Sequence, residues 1–191
     1  CGQTSEHAPA SGGPQRPAKP MRLLLASGNA GKLREFRALA NEDAAGRSVT
    51  LDLLPDFSQL PLFDESAPTF SENAAGKALH YCRFTNLPVF TDDSGLIVDA
   101  LGGAPGVYSA RYAGPNASDP DRVTKLLADL RSAHSADRRA RFVCVLVLAR
   151  RGSLDAVFSD ALEGEIIDAP RGDGGFGYDP VFLLPTLGKT F

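Results

Sequence analysis

Two extended, largely apolar runs, residues 141–149 and 154–162, are separated only by Arg150-Arg151-Gly152-Ser153. Strands so close in sequence meet by folding back on each other, so this half of the chain is committed to antiparallel pairing, through what reads as a longer turn. A third extended piece, residues 165–167, and a last strand, residues 181–184, continue the meander. The first half alternates instead. Leu23-Leu24-Leu25-Ala26 runs through a small-residue loop into a helical pattern with Leu33, Phe36 and Leu39 on one side, and residues 49–54 read as a second strand. Thr69 and Glu72 stand at capping-box spacing and open a helix to about Phe84, with Ala74, Ala75, Ala78 and Cys82 facing the core. Residues 89–91 form a short strand that runs into Asp92-Asp93-Ser94-Gly95, so the acidic pair is expected at a strand edge or turn. Asp119-Pro120 starts a helix whose Val123, Leu126, Leu127 and Leu130 form one apolar stripe. Strands alternating with helices early and a meander late imply the α/β class: a mixed sheet with flanking helices.

The totals exclude several functions. A chain of 191 residues, 43% hydrophobic, suits one domain. Residues 1–20 carry no large aliphatic or aromatic side chain and are expected to be a disordered extension, leaving 21–191 as the domain. A net charge of −3 and a pI near 5.6 exclude the broad basic surface of a nucleic-acid partner. Cys1, Cys82 and Cys144 are too few and too scattered for a disulfide framework or a zinc knuckle, which points to a reducing cytoplasm. With His7, His80 and His134 at no ligand spacing, a metal site must be built from carboxylate oxygen, and that favours magnesium. The longest apolar run, residues 142–149, is too short to span a membrane.

Four segments carry chemistry. Ser27, Gly28, Asn29, Ala30, Gly31 and Lys32 form a small-residue turn between a strand and a helix N-terminus. It is either a phosphate cradle, with converging amides, the helix dipole and Lys32, or an ordinary turn. It is not a P-loop, because only two residues separate the last two glycines and Leu33 follows the lysine. Asp92-Asp93-Ser94-Gly95 places two carboxylates side by side; along a strand they face opposite ways, so their roles need not coincide, and a solvated turn is the plainer reading. In residues 172–180, Phe176 and Tyr178 lie in a glycine-rich loop. An aromatic shown this way can stack on a nucleobase, worth about 1–3 kcal/mol, or pack inward to anchor the loop; packing suits Tyr178 better and stacking suits glycine-flanked Phe176. Residues 102–112 read as structural, with Arg111 paired internally; Asp64, Glu65 and Lys77 are, on their own, loop acids and a helix-surface lysine.

Taken together, these segments resemble the inosine triphosphate pyrophosphatase or HAM1 family of non-standard purine nucleotide pyrophosphatases. The matching motifs are residues 26–32, Thr69-Phe70-Ser71-Glu72-Asn73-Ala74 with Lys77, residues 91–96, residues 102–112 and residues 174–180, in that order from Met21 onward. The resemblance implies an elongated two-lobed fold with a central cleft, usually a homodimer, which hydrolyses ITP, dITP or XTP between the α and β phosphates. By the same likeness Ser27 to Lys32 would hold phosphates with help from Lys77. Glu65 and Asp93 would bind magnesium, Asp93 would accept the proton, Ser94 would touch the nucleotide, and Phe176, Gly177, Tyr178 and Asp179 would bind the base. Family members continue beyond the point matching Gly188-Lys189-Thr190-Phe191 into a segment that also contacts the nucleotide, so the base-reading half is expected to be incomplete in this chain. Two other readings remain. A Maf-type pyrophosphatase would carry an arginine pair after a proline where this chain has Ala30-Gly31-Lys32, and a non-catalytic nucleotide-binding module would bind without turnover.

Overall fold

The computed structural model describes residues 21–28, 30–42, 49–172 and 174–191. The expected extension, residues 1–20, and Asn29 lie outside the described residues, as does the side chain of Ala30. Strands β1 (Met21–Leu25), β2 (Val49–Leu53), β3 (Val89–Val98), β4 (Arg139–Arg150), β5 (Ser153–Ile166), β6 (Phe182–Leu184) and β7 (Lys189–Thr190) form one open sheet, in the order β2-β1-β3-β4-β5-β6-β7. β1 is parallel to β2 and β3, and every later pairing is antiparallel, which is the mixed sheet that the alternation and the meander imply.

Among the described residues three α-helices cover the sheet: α1 (Ala30–Glu42), α2 (Phe70–Tyr81) and α3 (Asp119–Ser132). β3 alternates its partners as a period-2 strand must. Val89 packs with Ala74 and Ala78 of α2, while Phe90 packs with Leu33 of α1. Farther along, Leu96 and Val98 meet Val123, Leu126, Leu127 and Leu130 of α3. The core is therefore in three clusters, two at the start of β3 on its opposite faces and one toward its end. Each of those α3 side chains is buried, worth about 1.5–3 kcal/mol apiece. Ser118, one residue before the predicted start, caps α3 in a capping box with Asp121, and Thr69 caps α2 by accepting from Glu72 N–H.

Three expectations are corrected. Asp92, Asp93, Ser94 and Gly95 do not form a turn; they continue β3, which pairs with β4 residue by residue from Val89↔Ala149 to Val98↔Ala140. The hairpin turn is tight, with Arg150 paired to Ser153 and only Arg151 (φ 53°) and Gly152 (φ 81°) between them; two positive φ angles match the twist of the flanking strands. The extended piece at 165–167 is no separate strand: Glu165 and Ile166 end a 14-residue β5, and Ile167 lies past it.

Candidate active site

β3 divides the candidate site into two sides. Thr91 donates its hydroxyl proton to the Ala74 carbonyl at 2.8 Å, which fixes Thr91 and Asp93 on the α2 side. Asp92, 3% exposed, points the other way and pairs with Lys32 Nζ from the first turns of α1. A carboxylate this deeply placed is tolerable only because a cation meets it. The loop that delivers Lys32 leaves β1 beside this point, where Ala26 N–H donates to the Phe90 carbonyl at 3.0 Å.

On the α2 side, Lys77 Nζ pairs with Glu65 Oε1 at 2.6 Å and donates to the carbonyl oxygen of Asp92 at 3.4 Å. The two lysines thus meet residue 92 from opposite faces, one at its carboxylate and one at its backbone. Glu65 is held in place from outside: Arg111 donates to its carbonyl at 2.8 Å, the internal pairing expected for that arginine. Asn73 ties the same loop to α2, accepting from Ala67 N–H at 2.9 Å and donating to the Ala67 carbonyl at 3.3 Å. Burial pushes the Asp93 carboxyl up to about 6; a hydrogen bond from Asn73 and the charge of Lys77 oppose the rise, while the Glu65 and Asp92 carboxylates add to it. Among the described residues, Asp93 Oδ2 and Asp92 Oδ1 are buried oxygens with no hydrogen-bond partner. Such atoms are costly unless a ligand completes them.

The Asp92 side opens into a cavity of about 640 Å³ between Lys32, Asp92, Ser94, Phe142 and the loop around Phe176. Asp93, Glu65 and Lys77 are not among its lining residues. Phe176 stands 59% exposed at the cavity wall, whereas Tyr178 is 3% exposed and donates its hydroxyl proton to the Ser109 carbonyl at 2.8 Å. Tyr178 thus packs inward and anchors the loop, whereas the resemblance would have it face a base. Asp179 differs from expectation. Instead of standing free to read a base edge it is buried, and its Oδ2 accepts from Phe176 N–H at 2.9 Å.

A profile of the Ham1 family matches residues 23–191. This chain belongs to the Ham1 family. It is 49% identical over 168 residues to the dITP/XTP pyrophosphatase of Geobacillus kaustophilus, covering 88% of this chain and 80% of that relative. The dITP/XTP pyrophosphatase of Geobacter sulfurreducens is 48% identical over 169 residues, covering 88% and 83%. Among solved structures, the HAM1 protein from Coxiella burnetii has a TM-score of 0.79 at 41% identity, over 89% of this chain and 85% of that one. The Staphylococcus aureus Ham1 protein has 0.76 at 39%, over 88% and 84%.

Within the Ham1 fold, nine of the sequence-predicted residues fall into two groups that meet at β3, while Ser27, Gly28 and Gly31 are not among the residues that line the cavity. Lys32, Ser94, Phe176, Gly177, Tyr178 and Asp179 line the cavity; Glu65, Lys77 and Asp93 cluster behind it. Sequence reasoning missed Asp92 as the partner of Lys32, Asn73 as the tie under Asp93, and Arg122, which also lines the cavity. Asp92 and Asn73 stand inside motifs that the resemblance singles out, residues 91–96 and 69–74, whereas Arg122 has no sequence signal.

Proposed function

We propose that this chain hydrolyses non-standard purine nucleoside triphosphates, ITP, dITP and XTP, to the monophosphate and pyrophosphate in a magnesium-dependent reaction. The observation that carries the reading is Asp93: a partly buried carboxyl pushed up to about 6, with an unpartnered inward oxygen, beside Glu65 and Lys77. The activity named for the relatives at 48–49% identity supports it.

The donor set fits magnesium. No three His, Cys, Asp or Glu side chains converge as a metal cluster among the described residues, and the cation needs only one or two carboxylates when waters and substrate phosphates complete its shell. Glu65 and Asp93 would hold it, and when bound it supplies charge neutralisation at the phosphates. The chain's own residues do the rest. Amides at the start of α1 cradle phosphate oxygens, aided by the helix dipole, and the triphosphate passes the edge of β3 beyond Phe90, where pairing with β1 ends, so that Lys32 on one side and Lys77 on the other both meet it. Asp93 accepts a proton from the water that attacks the α-phosphorus. The new P–O bond forms as the α–β anhydride bond breaks, and pyrophosphate leaves. Phe176 stacks on the purine. A site that hydrogen-bonds a 6-keto purine leaves groups unpaired against a 6-amino purine, a mismatch worth up to about 10⁴-fold.

The proposal includes a homodimer in the cytoplasm. Leu154 and Val157, exposed apolar side chains on one face of β5, are suited to burial between copies, and light scattering on the purified chain reads the state directly. Among the described residues no helix is long and apolar enough to cross a membrane. Incubation with dITP, XTP, ITP and ATP, with and without magnesium, tests the activity: pyrophosphate from the first three and little from ATP is the expected result. Binding without turnover selects a nucleotide-binding module.

A further inference from the structure

The stretch that presents Phe176 to the cavity is fastened from behind by another element. Asp119, the first residue of α3, accepts a 2.7 Å hydrogen bond from Gly177 N–H through Oδ2, across 58 residues of sequence. Its other oxygen pairs with Arg122 Nη2, one helical turn on. Arg122 Nη1 donates to the carbonyls of Ala117 at 2.6 Å and Ala110 at 3.1 Å. The arginine, mostly buried, therefore joins three things: the end of the 3₁₀ helix Gly106–Arg111, the segment entering α3, and Asp119 itself. Asp119 is not free to swing away.

Inside the loop the fastening continues on either side of Gly177. Phe176 N–H is taken by Asp179, and Tyr178 by the Ser109 carbonyl. Three consecutive residues are held by three partners, and the middle one is a charged side chain from a distant helix. Gly177 itself is at φ 63°, a left-handed setting that a freely flexing loop would keep only part of the time. Phe176 stays exposed although the backbone on both sides of it is pinned. A ring that is exposed and yet rigidly mounted is what a stacking platform needs, because ordering one loop residue in advance is worth about tenfold in affinity.

We propose that Asp119, held by Arg122, is a positioning residue that sets the pose of the Phe176 ring against the nucleobase and thereby the affinity for the nucleotide. The inference rests on the reading of residues 176–179 as the base-binding segment, and the test separates the two. KM and kcat for dITP are measured for Asp119→Ala, Asp119→Asn, Phe176→Ala and the doubles with Phe176→Ala, with thermal unfolding of each. Asp119→Ala raises KM about tenfold while kcat stays within about twofold. Asp119→Asn, which keeps an acceptor for Gly177 but loses the charge on Arg122, raises KM about threefold. On the Phe176→Ala background neither change adds to KM. A wild-type KM in folded Asp119→Asn and Asp119→Ala overturns the proposal. Effects that multiply with Phe176→Ala overturn positioning through the ring and leave the base-binding reading standing. A Phe176→Ala variant with unchanged KM overturns the base-binding reading, and this proposal with it. If Asp119→Ala does not fold, the asparagine variant and its double carry the same comparison.

Discussion

Replacing Asp93 with asparagine is expected to make the metal-free fold more stable at pH 8 while slowing turnover at least about 10²-fold. Burial, opposed by Asn73 and Lys77 and reinforced by Glu65 and Asp92, raises this carboxyl from 3.8 to about 6. A raised acid favours the folded state when protonated, so its contribution is complete below about pH 4 and is lost as pH rises through about 6. A rise of roughly two pH units corresponds to about 3 kcal/mol. Because Asp93 is only partly buried, solvent screening reduces this to about 1–2 kcal/mol. Asparagine is nearly isosteric and stays neutral, so at pH 8 the variant should exceed the native chain by that amount, and the two should converge toward pH 4. Urea unfolding in EDTA at pH 4, 6 and 8 measures the difference. Added magnesium should narrow the gap at pH 8, since a ligand bound only by the native fold stabilises it by mass action. A variant less stable than the native chain at pH 8, or a gap independent of pH, would refute the account of Asp93 as a destabilised carboxylate.

Three further outcomes follow from the packing. Lys32→Met strands the buried Asp92 carboxylate and should cost about 3 kcal/mol of stability, most of it recovered in the Lys32→Met, Asp92→Asn double variant; urea midpoints of the four chains form the cycle. Gly95→Ala places a Cβ 2.7 Å from the Gly106 carbonyl oxygen and 3.0 Å from the Phe70 ring, so calorimetry should show a loss of about 1–3 kcal/mol. Tyr178→Phe leaves the Ser109 carbonyl without its 2.8 Å hydrogen bond inside the wall and should lower stability by about 1–2 kcal/mol in urea unfolding.

Much of the fold was legible because it is locally written. The α3 stripe, Val123, Leu126, Leu127 and Leu130, follows a helical period, and all four residues are buried. Thr69 and Glu72 make the cap their spacing foretells. β3 defeats a local reading for a physical reason: Asp-Asp-Ser-Gly has poor strand propensity, and only the ten-residue ladder to β4 holds it extended. A ladder partner about fifty residues away leaves no mark on the local sequence. The tight hairpin hid likewise, because arginine at positive φ is not a turn signal. At the candidate site, period-2 alternation correctly separated Asp92 from Asp93, while the Lys32 to Asp92 and Asp119 to Gly177 contacts span 60 and 58 residues and emerge only from the fold.

The most direct test of the central claim is the phosphate product released from dITP by the native chain and by Asp93→Asn in the presence of magnesium, resolved by phosphorus NMR. The account predicts pyrophosphate and dIMP from the native chain and a rate at least about 10²-fold lower from the variant, the loss typical of a removed general base. Orthophosphate as the first product, or full turnover by Asp93→Asn, would contradict it.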